Sequence, residues 1–329
     1  MDTKNIYELL EAEIMNSDLT EEEKNRQLSK LLKARGQKIN LMLVGATGSG
    51  KSSTINSIFN TKTAKVGIGV DPETKDIECY QLENLTIWDT PGIGDNTESD
   101  REHSVAITKK LSEVDENGVP VIDLVMVVID GSTRDMSAVY DMINNTIVPS
   151  LTKKNANRIL IAVNQADMAM KGNHWDKENN CPDEVLKKFL KDKCASIKQR
   201  ILEGTGIELE PMYYCAGYTD ENDVQAKPYN LTKLLYHIVL SLPAEKRIAI
   251  AENLNDEKEM WEDDDEELDY REAIGYSFGD IFRDTVEEFA DGGATIGGMA
   301  LGIPGMLIGG VIGGAAGVVT GFFKGLFNL

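Results

Sequence analysis

The segment Gly45-Ala46-Thr47-Gly48-Ser49-Gly50-Lys51-Ser52 decides the fold, because it fits the pattern GxxxxGK[ST] between an apolar run and a helical pattern. Glycines let such a loop curl so that backbone N–H groups point at phosphate oxygens, and the following helix N-terminus favours negative charge. Lys51 is expected to meet the β- and γ-phosphates, and the Ser52 hydroxyl to bind Mg²⁺. The predicted nucleotide-binding residues here are Gly45, Thr47, Gly48, Ser49, Gly50, Lys51, Ser52 and Ser53.

Around this loop, strand-like apolar runs alternate with helical patterns. The runs are Ile39–Val44, Ile77–Leu82, Leu85–Trp88, Ile122–Ile129, Ile159–Val163 and Met212–Cys215. The helical patterns are Lys51–Phe59, Glu102–Val114, Met136–Leu151, Asp183–Glu203 and Leu231–Leu240. Alternation predicts a mostly parallel sheet with helices on both faces, and the short step across Glu83 and Asn84 predicts one antiparallel hairpin. The predicted fold class is therefore α/β, a six-stranded sheet with one antiparallel edge strand, which resembles the Ras-like P-loop NTPase sheet.

Four parts are expected along the chain. Residues 1–36 form an N-terminal helical segment, in which Thr20 and Glu23 make a capping box and Gly36 stops the second helix. Residues 37–242 form the nucleotide-binding domain. Residues 243–291 form a helical and acidic linker region, and residues 292–329 a Gly-rich hydrophobic tail.

The sequence Asp89-Thr90-Pro91-Gly92 ends the Leu85–Trp88 strand. Asp89 is expected to hold Mg²⁺ through water, and the Gly92 N–H to sense the γ-phosphate. The preceding segment, Thr61–Lys75, corresponds by position to a switch that closes on nucleotide. A threonine there should bind Mg²⁺ and the γ-phosphate; Thr74 is the first choice, and Thr61 and Thr63 are the competitors.

Two further segments predict recognition of guanine. Asn164-Gln165-Ala166-Asp167 follows the strand Ile159–Val163, where an aspartate accepts hydrogen bonds from N1–H and N2–H₂, which adenine lacks. In Cys215-Ala216-Gly217, a backbone N–H of Ala216 or Gly217 is expected to reach guanine O6. The predicted ligands are therefore GTP and GDP.

Taken in this order, the motifs resemble the Era-like branch of the TRAFAC P-loop GTPases. The stretch Asn164–Trp175 (NQADMAMKGNHW), the turn Tyr213–Gly217 and the Gly-rich tail resemble a narrower group, the bacterial GTPases of the YfjP and YeeP type, often labelled 50S-ribosome-binding. The resemblance implies hydrolysis of GTP to GDP and phosphate with Mg²⁺. It implies catalytic roles for Lys51, Thr74 and Gly92, and Mg²⁺ ligation by Ser52, Thr74 and Asp89.

Three positions depart from the family pattern. Ile93 stands where Ras-type enzymes have a water-orienting glutamine. Gln165 replaces the lysine of NKxD. Gly48 replaces the asparagine of potassium-activated relatives, and the loop resembles those of septin and chloroplast-import-receptor GTPases, which pair across their nucleotide sites. Slow intrinsic turnover is therefore expected, with a homodimer or another partner completing the site; Arg101 and Arg134 are candidate arginine fingers.

Charge and composition limit the partners. The net charge is −21, and Asp256–Glu272 holds eleven acidic and two basic residues, so self-repulsion predicts an extended segment. Such a surface disfavours nucleic acid, and hence a ribosome, unless a basic patch exists; none is expected. The scattered cysteines and polar N-terminus predict a cytoplasmic protein.

The tail predicts engagement with a membrane or a partner. From Gly292 to Phe323 there is no charged residue, and Gly309, Gly313, Gly317 and Gly321 recur every fourth position. Gly305–Phe323 has about the length needed to span a bilayer. We therefore expect a regulatory switch, peripheral or tail-anchored at the inner membrane face. A ribosome-associated assembly GTPase and a nucleotide-dependent scaffold with little turnover are the alternatives.

Overall fold

A seven-stranded sheet forms the centre of the computed structural model, which describes residues 6–61, 65–68, 77–94, 97–151, 157–218, 226–262, 264–265 and 267–282. The strands are β1 (Ile39–Gly45), β2 (Lys65–Ile68), β3 (Glu78–Gln81), β4 (Leu85–Asp89), β5 (Leu124–Asp130), β6 (Ile159–Asn164), β7 (Trp175–Asp176), β8 (Cys181–Pro182) and β9 (Met212–Tyr213). The order across the sheet is β2-β3-β4-β1-β5-β6-β9, and β7 pairs with β8 separately.

This topology confirms the predicted α/β class. Strands β4, β1, β5, β6 and β9 are parallel, and β3 runs antiparallel to β4, as the hairpin predicted. A strand that was not predicted, β2, pairs antiparallel with β3 and extends the sheet by one position. It lies inside the segment that the sequence assigned to a switch.

Ten α-helices cover the two faces within the described ranges. They are α1 (Ile6–Asn16), α2 (Glu21–Arg35), α3 (Lys51–Ile58), α4 (Thr97–Ser112), α5 (Ser137–Met142), α6 (Val148–Ser150), α7 (Glu184–Thr205), α8 (Leu231–Ser241), α9 (Ala244–Ala251) and α10 (Tyr270–Phe278). A π-helical turn, Ile143–Ile147, joins α5 to α6. The single helix predicted over Met136–Leu151 is therefore present with a local bulge.

The central strands are buried on both faces, because alternate side chains point in opposite directions and helices cover each face of the sheet. Leu41 and Leu43 of β1 join a core with α1, α2, α3, α8, α9 and α10. Met42 and Val44 join a second core with α4, α5 and α7. The N-terminal and C-terminal helices therefore pack on the same face of the sheet and share its core.

The N-terminus of α2 is formed by the predicted capping box. The Thr20 side chain accepts a hydrogen bond from the Glu23 N–H, and the Glu23 carboxylate accepts one from the Thr20 N–H at 2.9 Å. Gly36 is the C-cap residue. Such reciprocal capping satisfies two N–H groups that have no partner within the helix.

The described part of the acidic segment is folded, so the expectation of an extended chain is wrong there. Trp261 is fully buried, and its indole N–H donates to the Asn255 carbonyl at 2.8 Å. Lys233 of α8 lies within 2.6 Å of Asp265 and 2.7 Å of Glu267, and Lys227 pairs with Glu262. Opposite charges on the domain therefore offset the repulsion that the sequence alone suggested.

The Gly-rich tail, residues 292–329, lies outside the described residues. Within the described part, α10 is followed by a short turn, Gly279–Phe282. Among the helices that the structure does describe, none has the length and apolar character needed to cross a bilayer.

The amino end of β5 is tied to α9 by a buried ion pair. Asp123 accepts the Asn40 N–H at 2.9 Å and lies 2.6 Å from the Lys246 ammonium, and its side chain is 7% exposed. We expect Asp123→Ala to lower the free energy of unfolding by about 3 kcal/mol, because Lys246 is left partly buried without its charge partner. Denaturant unfolding measures the change, provided that the m-value, the dependence of the free energy of unfolding on denaturant concentration, is the same for both proteins.

The matched control is Asp192→Ala, which removes a carboxylate paired with Lys188 on the surface of α7, where both side chains are more than two-thirds exposed. Its effect should stay below about 1 kcal/mol. Equal losses in the two variants would show that burial adds nothing to the Asp123 pair.

Candidate nucleotide-binding site

The predicted phosphate-binding loop lies at the carboxyl end of β1 and leads directly into α3. Gly50 is the N-cap residue of α3 and has a left-handed φ of 88°. A Cβ at this position would lie 2.2 Å from the Asn164 side-chain nitrogen, so only glycine fits. The first N–H groups of α3 have no partner within the helix, and they face the mouth of the loop, where an anion is favoured.

The side chains of Lys51, Ser52 and Asp89 meet at this loop. The Lys51 ammonium donates to the carbonyls of Gly45 at 3.2 Å and Ala46 at 3.3 Å. The Ser52 hydroxyl donates to Oδ2 of Asp89 at 2.9 Å. Two predicted Mg²⁺ ligands, one on α3 and one at the end of β4, are therefore in direct contact.

Asp89 is buried, and its Oδ1 has no hydrogen-bond partner among the described residues. Burial raises the pKa of this carboxyl, although the Ser52 hydroxyl and the Lys51 charge oppose the shift. Oxygen donors of this kind suit Mg²⁺, which keeps several waters and few protein ligands. A buried, incompletely partnered carboxylate beside a serine hydroxyl is a donor set that fits the ion.

The loop after β4 is held against the phosphate-binding loop by backbone hydrogen bonds. Ile93 N–H donates to the Gly45 carbonyl at 3.3 Å, and Thr47 N–H donates to the Ile93 carbonyl at 3.2 Å. A Cβ at Gly92 would lie 2.1 Å from the Thr47 hydroxyl and 2.5 Å from its Cα. Only glycine therefore allows this contact, which holds the predicted γ-phosphate sensor against the loop.

Asn164 connects the phosphate end of the site to the base end. Its side-chain N–H donates to the Ser49 carbonyl at 3.0 Å, and its Oδ1 accepts the Ala216 N–H at 2.9 Å. The neighbouring Gln165 donates to the Gly48 carbonyl at 2.6 Å from a left-handed backbone with φ of 58°. Asn164 thus links its own segment to the phosphate-binding loop and to the turn at Ala216. Gln165, at the position of the lysine in NKxD, contacts the phosphate-binding loop at Gly48.

At the base end, Asp167 and the Cys215–Gly217 turn are in contact. The Cys215 thiol donates to Oδ1 of Asp167 at 3.0 Å, and the Gly217 N–H donates to the Cys215 sulfur at 3.4 Å. Burial, with the adjacent carboxylate second, raises the pKa of the Cys215 thiol. The thiol is therefore neutral at physiological pH and acts as a donor that orients the carboxylate.

Three hydroxyl groups that the motifs did not indicate connect α3 to the same turn. Thr54 Oγ1 and Tyr214 OH lie 2.7 Å apart, and Ser57 donates to the Ala216 carbonyl at 2.6 Å. All three side chains are fully buried. Thr54 and Ser57, three residues apart on the buried face of α3, could have indicated these contacts from the sequence, because buried hydroxyls need hydrogen-bond partners.

Not all predicted residues are brought together by the described part of the chain. Thr74 and its competitor Thr63 lie outside the described residues, and the Thr61 hydroxyl bonds to Asn56. Ser53 is in the first turn of α3. The candidate fingers Arg101 and Arg134 are both exposed, on α4 and in the loop after β5.

Fold and site geometry together define a P-loop GTPase domain. The loop after β1, the Asp89 turn and the Asn164–Asp167 segment converge at the carboxyl ends of the parallel strands. Residues 40–165 match a family model, MMR_HSR1, described as 50S ribosome-binding GTPase. The match supports assignment of this part of the chain as a G domain.

Individual proteins match less of the chain. Human Septin-12 is 35% identical over 78 residues, which is 20% of this chain and 22% of the septin, so the chain spans about a fifth of that relative's length. Toc33 from Arabidopsis thaliana, solved with GDP and Mg²⁺, is 17% identical, with a TM-score of 0.40 over 66% of this chain and 88% of that one. LeoA, a bacterial dynamin GTPase from ETEC, is 14% identical, with a TM-score of 0.38 over 75% and 42%.

The raised pKa of Asp89 predicts opposite effects on stability and on binding. A carboxyl whose pKa is raised by folding adds stability below that pKa and loses it as the pH rises through it. We therefore expect Asp89→Asn to raise the thermal midpoint of the nucleotide-free protein at pH 7. The variant should also lose less stability than wild type when the pH is raised from acidic to neutral values. The same change should weaken binding of Mg²⁺–GTP.

Asp135→Asn is the contrast, because hydrogen bonds from Ser137 lower the pKa of that exposed carboxyl. Its thermal midpoint should fall slightly at neutral pH and nucleotide binding should not change. A lower midpoint for Asp89→Asn at pH 7 would mean that the ionised carboxylate stabilises the free protein.

Asn164→Ala should loosen both ends of the site at once. Two buried hydrogen bonds are lost, so we expect a stability loss of about 2 kcal/mol, with weaker binding of GTP and of GDP. The exposed amide of Asn173, which bonds only locally to the Met170 carbonyl, provides the control variant Asn173→Ala. Calorimetric titration with GDP checks the result; unchanged affinity in Asn164→Ala would show that the brace is dispensable.

Proposed function

We propose that this chain is an Era-like GTPase of the YfjP and YeeP type that hydrolyses GTP to GDP and phosphate with Mg²⁺ and acts as a regulatory switch. The observation that carries the proposal is the contact of Ser52 with Asp89 at one end of a site whose other end holds the Asp167 carboxylate. The first pair suits a metal–phosphate group, and the second suits guanine.

Each residue has a distinct task in this proposal. Ser52 would hold Mg²⁺ directly and Asp89 through water, and the ion would neutralise charge on the phosphate oxygens. Lys51 would exchange its carbonyl contacts for the β- and γ-phosphates, and the α3 N-terminus would bind phosphate oxygens. Asp167, oriented by the Cys215 thiol, would accept two hydrogen bonds from guanine. Thr74 is proposed as the switch ligand.

The proposal includes activation by a second copy or a partner. Ile93, where a water-orienting glutamine is usual, is 3% exposed and packs in the core formed with α4, α5 and α7. A side chain in that position has no access to an attacking water. Slow intrinsic turnover follows, and a group supplied across a homodimer would raise it.

The tail is proposed to engage the membrane, which would place the protein peripherally or as a tail-anchored protein at the inner face. Its charge-free run supports this proposal. A ribosome-associated role is a second candidate, favoured by the description of the matching family. A nucleotide-dependent scaffold is a third, favoured by the buried position of Ile93.

The test is phosphate release from GTP over a range of protein concentrations, with ATP as the competing substrate. We expect release from GTP alone, with a rate per subunit that rises with protein concentration. Tight GTP binding with no release would favour the scaffold instead, and a flat rate per subunit would exclude activation by a second copy.

Asp167→Ala tests the base end separately. We expect the preference for GTP over ATP to fall by about a hundredfold, because two hydrogen bonds to a charged acceptor are lost. Asp176→Ala is the control, since that exposed carboxylate bonds only to neighbouring residues of its own turn. An unchanged preference in Asp167→Ala would place guanine recognition elsewhere.

A further inference from the structure

Helix α2 carries a basic surface, so the expectation that the chain has no basic patch is wrong. Residues 24–38 contain six basic residues and no acidic residue, in a chain of net charge −21. They are Lys24, Arg26, Lys30, Lys33, Arg35 and Lys38. The acidic residues of this region precede them, in α1 and in the first turn of α2. The basic residues of this region therefore form one continuous run in the sequence.

The orientation of α2 puts much of this charge in solvent. Gln27, Leu31 and Ala34 face the core, whereas Lys33 and Lys38 are exposed. Leu32, next to Lys33 in the sequence, is 68% exposed. A basic helix with an exposed leucine on its solvent side matches the chemistry of a helix that lies on an anionic lipid surface.

The position of the last described segment, which leads toward the tail, supports the same partner. The turn Gly279–Phe282, the last described segment, packs against α2, and the Arg247–Asp280 ion pair at 2.5 Å fixes it to the neighbouring helix α9. The charge-free run begins at Gly292. Nine residues separate the two, which is a reach of about 30 Å at most. A membrane that receives the tail therefore lies within reach of α2.

We propose that the exposed face of α2, around Leu32 and Lys33, docks on the anionic headgroups of a membrane and sets the orientation of the G domain there. The proposal rests on the proposed membrane engagement by the tail. Because the rest of the protein is strongly acidic, an anionic surface repels it generally. The α2 face is a region of the described surface that such a membrane attracts, and this attraction acts within about a Debye length.

The test is flotation of the full chain with phosphatidylcholine vesicles and with vesicles that also contain phosphatidylglycerol. The variant is Lys33→Glu/Lys38→Glu, and the control with equal charge change is Lys177→Glu/Lys188→Glu, at exposed positions far along the chain. Wild type should bind the anionic vesicles more tightly. The α2 variant should lose this gain, on the order of thirtyfold, from about fivefold per lysine, whereas the control should change little.

A third variant separates this proposal from the one for the tail. Leu307→Asp/Val311→Asp places charges in the apolar run and should weaken binding to both vesicle types. If it binds neutral vesicles as wild type does, tail engagement is wrong. The α2 proposal is judged by the difference between anionic and neutral vesicles. GTP hydrolysis without vesicles should be equal in all variants.

Three results would overturn the α2 proposal. The first is equal binding of wild type to neutral and anionic vesicles. The second is an equal loss in the control variant, which would make the effect one of total charge. The third is a loss of binding to single-stranded homopolymer RNA, but not to vesicles, in the α2 variant, which would identify a nucleic acid as the partner of this face. Leu32→Ser should weaken anionic-vesicle binding without changing net charge.

Discussion

The Asn164 side chain holds the two ends of the nucleotide site at a fixed distance. It is 2% exposed and bonds to the Ser49 carbonyl on one side and the Ala216 N–H on the other. A buried amide has few alternatives to these partners, since leaving them unpaired costs about 1–3 kcal/mol each. Glycine at position 50 permits this contact, because a Cβ there would collide with the Asn164 side chain.

The C-terminal region supports the base end from behind. Tyr229 and Cys215 exchange backbone hydrogen bonds at 2.9 Å, and the next N–H, of Asn230, donates to Asp264 at 2.6 Å. Burial raises the pKa of Asp264 to about 7. The acidic segment is thus bonded to the start of α8 through Asn230. The preceding residue, Tyr229, is paired with Cys215, whose thiol contacts Asp167. The same short segment therefore contacts both the acidic region and the predicted guanine-binding turn.

The parts that the sequence predicted are those whose chemistry is local. A phosphate loop needs glycines and a lysine at fixed spacing, so Gly45–Ser52 was readable, as were the Thr20 capping box and the β3–β4 hairpin. Strand β2 was missed because it is short, Lys65–Ile68, and contains a glycine, although its partner β3 is the next strand along the chain. The acidic segment was misread because charge repulsion was counted without Lys227 and Lys233, which lie on another element. The basic run in α2 was visible in the sequence, but an overall charge of −21 masked it.

The missing water-orienting side chain directs attention to the two candidate arginines. Arg101 is in the second turn of α4, whose start follows the Asp89 loop. Arg134 belongs to a loop fixed to the site itself, because the Lys193 ammonium donates to the carbonyls of Gly131 and Thr133, and the Gly131 N–H donates to the Asn164 carbonyl at 2.7 Å.

A side chain on a loop whose backbone is held by hydrogen bonds needs less reorganisation to reach a fixed position than one on an unbonded loop. Of the two arginines, Arg134 is therefore the one that follows a segment bonded directly to the nucleotide-binding residues, through Gly131 and Asn164.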